Sequence, residues 1–187
     1  MRAARTAGWE VIGIEPSETF AEFAADYSGA KILPGPLEEC GFPGNSFDCV
    51  ILSALLEHLY NPDETFREIA RILRRGGVVF IDVPNERGLY FITGNLYQRL
   101  RGRDWVVNLA PTFSPFHVFG FSPRSLRALL DKHGLKPYFW KVYPGRALVP
   151  SRFGLFGLVE KFAANAVTAI SRYGSFGTYI ESWAVKE

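Results

Sequence analysis

The stretch FDCVILSALLEHLYNPDETFREIARILRRGGVVFIDVPN, residues 47–85, decides the fold. Residues 47–53 are apolar without alternation, the pattern of a parallel strand buried on both faces. Asn61 is a good N-cap, Pro62 fits the first helical position, and Glu64 completes a capping-box-like arrangement. Phe66, Ile69, Ala70 and Leu73 recur three and four apart, which predicts a helix with one apolar face. Arg71, Arg74 and Arg75 suit the negative end of that helix, and Gly76 is expected to stop it. Residues 78–83 form a further apolar strand, closed by Pro84.

The same rhythm continues outward. Upstream, WEVIGI at 9–14 reads as a short buried strand. Ser17 caps a helix whose apolar stripe is Phe20, Phe23, Ala24 and Tyr27, and Gly29 closes it. Residues 31–33 suit a brief strand, and a turn-rich stretch follows through Gly41, Pro43, Gly44 and Asn45. Downstream, Ser122 and Pro123 open a helix packed by Leu126, Leu129 and Leu130 and stopped by Gly134. Residues 135–143 read as a strand. A helix over 155–173 carries Leu155, Val159, Phe162, Ala166 and Ile170 on one side, and 178–186 alternates as a strand. Strands alternating with helices predict an α/β fold with an open, mostly parallel sheet covered on both faces.

Composition narrows the function. The chain has 187 residues, enough for a sizeable core, and a net charge of +2 gives no global field for nucleic acid. Cys40 and Cys49 lack CxxC spacing and histidine is sparse, so no metal site is read, and the usage fits a reducing compartment. With no signal peptide and no apolar run of bilayer length, a cytoplasmic location is expected.

Ligands bind such sheets at the carboxyl ends of the strands, which directs attention to Glu15, Ser53 and the segment after Val83. Glu15 follows a strand and precedes a helix. A carboxylate there can accept two hydrogen bonds from a ribose diol, or it is simply a surface glutamate favoured at a helix start. Residues 84–121 are long and aromatic, with Tyr90, Phe91, Tyr97, Trp105, Phe113, Phe116, Phe119 and Phe121 beside Arg87, Arg99, Arg101 and Arg103. Three readings stand: a substrate lid, a small core of its own, or a membrane-surface patch for a lipid-linked substrate.

Residues 47–85 resemble the middle of class I S-adenosylmethionine-dependent methyltransferases, particularly the group acting on small molecules and bacterial glycoconjugates. That group shows an FD-plus-apolar strand, LEHL, a proline-started helix, LRPGG and an apolar strand. Arg75 stands where the family prefers proline, while Gly76 and Gly77 are kept. Upstream, RAARTAGWEVIGIEPS resembles the end of the family's first helix, its second strand and its acidic ribose ligand. The resemblance implies that Glu15 holds the ribose, that Pro16 lies near the adenine, and that Pro36, Leu37 and Glu38 line the adenine loop. Ser53 and Ala54 would face the methionine part of the cofactor. Glu57 and His58 would support the region below it. The resemblance covers most of residues 2–85 and returns for 117–143 and 178–186.

His117, in SPFHVFGFSP, matches a family histidine set before a Ser/Thr-Pro helix start. As a neutral imidazole it could take the acceptor's proton; the plain alternative is that it pins the loop. Tyr90, Trp105, Phe116 and Arg103 are the candidate acceptor contacts. The implied chemistry is methyl transfer from S-adenosyl-L-methionine to an oxygen, nitrogen or carbon of a small-molecule, sugar or lipid-linked acceptor, with no nucleic acid partner and a peripheral membrane contact under the lipid-linked reading. The implied fold is a Rossmann-like sheet, mostly parallel with an antiparallel last strand, in one domain over 1–187 with insertions at 84–121 and 144–177. The chain is expected to start inside the family's first helix, past its first strand and glycine-rich loop. As given, it is therefore expected to bind the cofactor weakly or not at all. The rivals are a non-catalytic remnant serving as a binding module and a nicotinamide oxidoreductase.

Overall fold

The structure, a computed structural model, describes residues 1–104, 106–107, 116–145 and 155–187. The chain forms two compact units, Met1–Ser46 and Phe47–Glu187.

The first unit runs α1 (Arg2–Thr6), β1 (Ile12–Glu15), α2 (Glu18–Ser28), β2 (Lys31–Pro34) and a 3-10 turn at Leu37–Glu39. β1 and β2 pair in parallel, with Glu15 opposite Pro34. Ser17 caps α2 by accepting from the Phe20 N–H at 3.4 Å, and Gly29 closes it at φ 62. Two expectations change. The strand starts at Ile12 instead of Trp9, which is exposed. The expected stripe of α2 also turns outward: Phe20, Phe23 and Tyr27 are exposed, and Ala21 is buried. Alanines on the inner face let the helix lie close to β2, where a phenylalanine would hold it off.

The second unit runs β3 (Phe47–Ser53), a 3-10 turn at Leu56–His58, α3 (Pro62–Ile72), β4 (Leu73–Pro84), α4 (Leu89–Leu100), α5 (Pro123–Lys132), β5 (Leu135–Tyr143), α6 (Leu155–Ile170) and β6 (Tyr179–Lys186). Its sheet has the order β3-β4-β6-β5. β3 and β4 are parallel, and β6 is antiparallel to both its neighbours. The alternation in β6 buries Ile180, Ser182 and Ala184 completely. Phe66 and Ile69 from α3 and Leu126 and Leu130 from α5 join Val79 and Ile81 in the core, all fully buried.

The start of α3 is as the sequence predicts. Asn61 Oδ1 accepts from the Glu64 N–H at 3.3 Å, and Asn61 Nδ2 donates to Glu64 Oε2 at 2.8 Å. Its end is not. α3 stops at Ile72 and Leu73 is already extended, paired with Phe47. Strand pairing replaces the last helical turn, so Arg74 forms an ion pair with Asp48 and does not sit on a helix terminus. Gly76, at φ 77, supplies a left-handed turn inside the β4 segment.

Segment 84–121 contains a helix the sequence did not predict, α4, which has no side-chain N-cap. It packs against α6, where Tyr97 Oη donates to Glu160 Oε1 at 2.6 Å. The expected stripe of α6 is not its packed side, because Val159, Phe162 and Ile170 are exposed and Gly157 is buried. Small residues allow the close approach, as in α2. Among the described residues, no helix is long and apolar enough to cross a membrane.

Candidate functional site

In the first unit, the sequence-predicted residues gather at one end of the β1–β2 pair. Glu15 ends β1, and its carbonyl accepts from the Gly35 N–H at 3.2 Å, which sets the Gly35–Pro36 turn beside it. Pro36 then caps the 3-10 turn that carries Leu37 and Glu38. The half-buried Glu15 carboxylate accepts from the Ser17 N–H through Oε1 at 3.0 Å. That bond orients the group, and no described residue bonds Oε2. Pro16 is exposed between them.

In the second unit, β3 ends at Ser53, opposite Asp82 of β4. Ala54 follows at φ 48, a left-handed conformation that costs an alanine of order 1 kcal/mol. The Ala54 N–H donates to the Asp82 carbonyl at 2.9 Å, which holds the residue there. Asp82 Oδ1 accepts from Tyr143 Oη at 2.8 Å, and the Tyr143 ring stacks on Tyr179 at 5.6 Å. Burial pushes the Tyr143 phenol above its ordinary value, and the Asp82 carboxylate adds to the shift. Tyr179 is pushed the same way by burial, then by the charges of Asp82 and Glu57.

The 3-10 turn after β3 places Glu57 and His58 against the segment at 116–119. The Glu57 carbonyl accepts from the N–H groups of Val118 and Phe119 at 2.8 and 3.2 Å. His58 Nδ1 lies 3.0 Å from the Phe116 carbonyl, which can only accept, so this nitrogen donates to it. The rings of His58 and His117 meet edge to face at 4.9 Å. Glu57 is buried at 2% exposure. Burial raises its carboxyl above the usual range, against the lowering effects of a backbone hydrogen bond and the two imidazoles. Glu57 Oε2 and His117 Nδ1 are both buried without a hydrogen-bond partner.

Similarity to known proteins bears on the family and the fold. A family model described as a methyltransferase domain matches residues 1–81. A protein of Mycolicibacterium smegmatis, named as a probable S-adenosylmethionine-dependent methyltransferase, is 32% identical over 127 residues, 67% of this chain and 43% of that protein. The ubiquinone biosynthesis O-methyltransferase of Bordetella avium is 27% identical over 70% of this chain and 55% of its own length. Among solved structures, an S-adenosylmethionine-dependent methyltransferase from Archaeoglobus fulgidus superposes with TM-score 0.65 at 17% identity, covering 98% of this chain and 79% of that one. Residues 1–81 carry a methyltransferase-domain match, and the chain is similar to S-adenosylmethionine-dependent methyltransferases. It spans about two fifths of the length of the first of these relatives (43%), and the solved structures speak for the fold alone. That fold is Rossmann-like, with an open mixed sheet.

In the second unit the remaining sequence-predicted residues are dispersed. Tyr90 lies half-buried on α4 beside Phe91, Phe116 is exposed, and Arg103 is exposed after α4. Trp105 lies outside the described residues. Of the four acceptor candidates, Phe116 stands beside His58 through its carbonyl. The sequence reading missed Asp82, Tyr143 and Tyr179. One signal was available: an aspartate inside the apolar run VVFIDV is a polar group that needs a partner. The assembly of Glu57, His58 and His117 was also missed, because His117 is 59 positions beyond His58 and neither shows ligand spacing.

Proposed function

We propose that this chain carries the cofactor and acceptor faces of an S-adenosylmethionine-dependent methyltransferase acting in the cytoplasm on a small-molecule or glycoconjugate acceptor. The observation that supports it most is Glu15. Its carboxylate stands at a strand end, held through Oε1 by the Ser17 N–H, with Oε2 left to bond a ribose hydroxyl. The residues fit the cofactor. Pro16, Pro36 and Leu37 offer apolar surface to an adenine ring, and Glu38 offers an acceptor for its amino group. Ser53 and Ala54 are assigned to the methionine part on the sequence resemblance alone.

When bound, S-adenosylmethionine supplies a methyl group on a sulfonium, whose sulfur leaves readily. The protein's task is then alignment of nucleophile, methyl and sulfur. His117 is the candidate base for the acceptor's proton on the sequence resemblance. Tyr90, Trp105, Phe116 and Arg103 are the candidate acceptor contacts, by stacking and charge, on the aromatic and basic composition of segment 84–121 alone.

The test is an NMR titration of the 187-residue chain with S-adenosylhomocysteine, which reads weak binding as well as tight. Shifts concentrated at residues 15–16, 36–38 and 53–54, and lost in Glu15→Gln, are expected. Shifts absent at these positions, or unchanged in Glu15→Gln, overturn the reading. Equal shifts with a nicotinamide dinucleotide would favour the oxidoreductase.

A further inference from the structure

We infer that Glu57, His58 and His117 form a binding site for one divalent transition-metal ion of the zinc type. One ligand atom from each of these residues lies within 4.8 Å of the other two. Tetrahedral zinc holds N and O ligands about 2.0–2.1 Å away, hence roughly 3.3 Å from one another, so the three side chains would turn inward to close on the ion.

Three features beyond proximity point to a cation. First, Glu57 Oε2 and His117 Nδ1 are buried polar atoms with no hydrogen-bond partner. A buried polar atom without a partner costs about 1–3 kcal/mol, and an ion bonded to both removes that cost at once. Second, His58 has the arrangement of a metal-bound histidine. Its Nδ1–H is oriented by the Phe116 carbonyl, and its Nε2 lone pair lies 4.0 Å from Glu57 Oε1. A backbone carbonyl on the far nitrogen is the usual outer partner of a ligating imidazole. Third, the scaffold is rigid where it must be. The Glu57 carbonyl, bonded to the N–H groups of Val118 and Phe119, locks the segment bearing His117 onto the turn bearing Glu57 and His58.

The ligand types select the ion. Two imidazoles and one carboxylate suit zinc, cobalt, iron(II) or manganese(II), whereas calcium and magnesium prefer all-oxygen sets. Three protein ligands leave a fourth position open to water or another oxygen. The inference does not depend on methyl transfer. It does oppose the proton-accepting role given to His117 above, since a nitrogen bonded to an ion cannot take a proton. An occupied site would therefore silence that base.

The test uses the untagged chain, stripped with EDTA and dialysed, then titrated with zinc chloride in a calorimeter and with cobalt chloride in a spectrophotometer. Uptake of one equivalent is expected, with visible cobalt bands typical of nitrogen and oxygen ligands. Glu57→Gln, His58→Ala and His117→Ala should each weaken binding at least about tenfold, the loss that even an outer-shell partner can cause. Cys40→Ser should leave binding unchanged. Circular dichroism checks that each variant folds, and the wild-type cobalt spectrum needs no variant. Less than stoichiometric uptake by the wild type, or undiminished binding in a folded His117→Ala, overturns the site.

Discussion

The phenol of Tyr143, at the end of β5, donates to Asp82 of β4 at 2.8 Å although β6 lies between the two strands. Neighbouring strands are about 4.8 Å apart, so the bond spans two intervals and ties three strands at the rim of the sheet. It also sets a pH dependence. Burial and then Asp82 hold the phenol above its ordinary value of 10.0. The folded protein thus keeps a proton that the unfolded chain releases. The stabilisation is fully present below that value and is lost as pH rises past it. Denaturant unfolding from about pH 8 to about pH 11 should show wild-type stability falling at the alkaline end. Tyr143→Phe should start about 1 kcal/mol lower and fall less. Parallel curves would contradict the assignment.

Asp63 makes the opposite prediction. It sits in the first turn of α3 and accepts from Lys132 at 2.6 Å and His133 at 2.9 Å, at the end of α5. The hydrogen bond from Lys132, then that from His133, lowers its carboxyl below the ordinary 3.8. The clamp's contribution is therefore complete above that value and disappears as pH falls through the lowered one. Asp63→Asn should be less stable than wild type at neutral pH, and the gap should close on acidification. Urea midpoints across the acid range measure this. A gap that persists in strong acid would show that the pair acts through shape and not charge.

Ala54 holds a left-handed backbone at φ 48. Glycine adopts it without strain but has more freedom to lose on folding, about 0.4–1 kcal/mol. Ala54→Gly should leave stability unchanged or raise it by up to about 1 kcal/mol. Ala54→Val should lower it by more than about 1 kcal/mol, because a branched side chain clashes there. Thermal unfolding of both variants decides. Equal losses in both would mean that the side chain's contacts outweigh the backbone.

What the sequence disclosed was local. The Asn61–Pro62–Glu64 start of α3, the Ser122 cap of α5 and the alternation of β6 each lie within a few residues, and the structure has them as read. The end of α3 was misread because Leu73 is recruited by Phe47, 26 positions upstream, and pairing outbids one more helical turn. α4 escaped notice because Gly94 and Asn95 weaken its pattern. Val107 N–H bonding to Asn95 Oδ1 and Tyr97 bonding to Glu160 support it from outside. The faces of α2 and α6 were misjudged for one reason: the bulkiest apolar residues marked the expected inner side, while alanine in α2 and glycine in α6 took it. The place of Glu15 at a strand end was legible because strand, acid and helix are contiguous. Asp82 with Tyr143, and His58 with His117, depend on chain segments about 60 residues apart.

β6 follows β4 and β5 along the chain yet lies between them in space. A ribosome releases 73–84 and 135–143 well before 179–186, so both earlier strands wait with bare hydrogen-bonding edges for their common neighbour. Local zippering cannot fill that gap, and the nascent chain passes through a stage that is slow to resolve and attractive to chaperones.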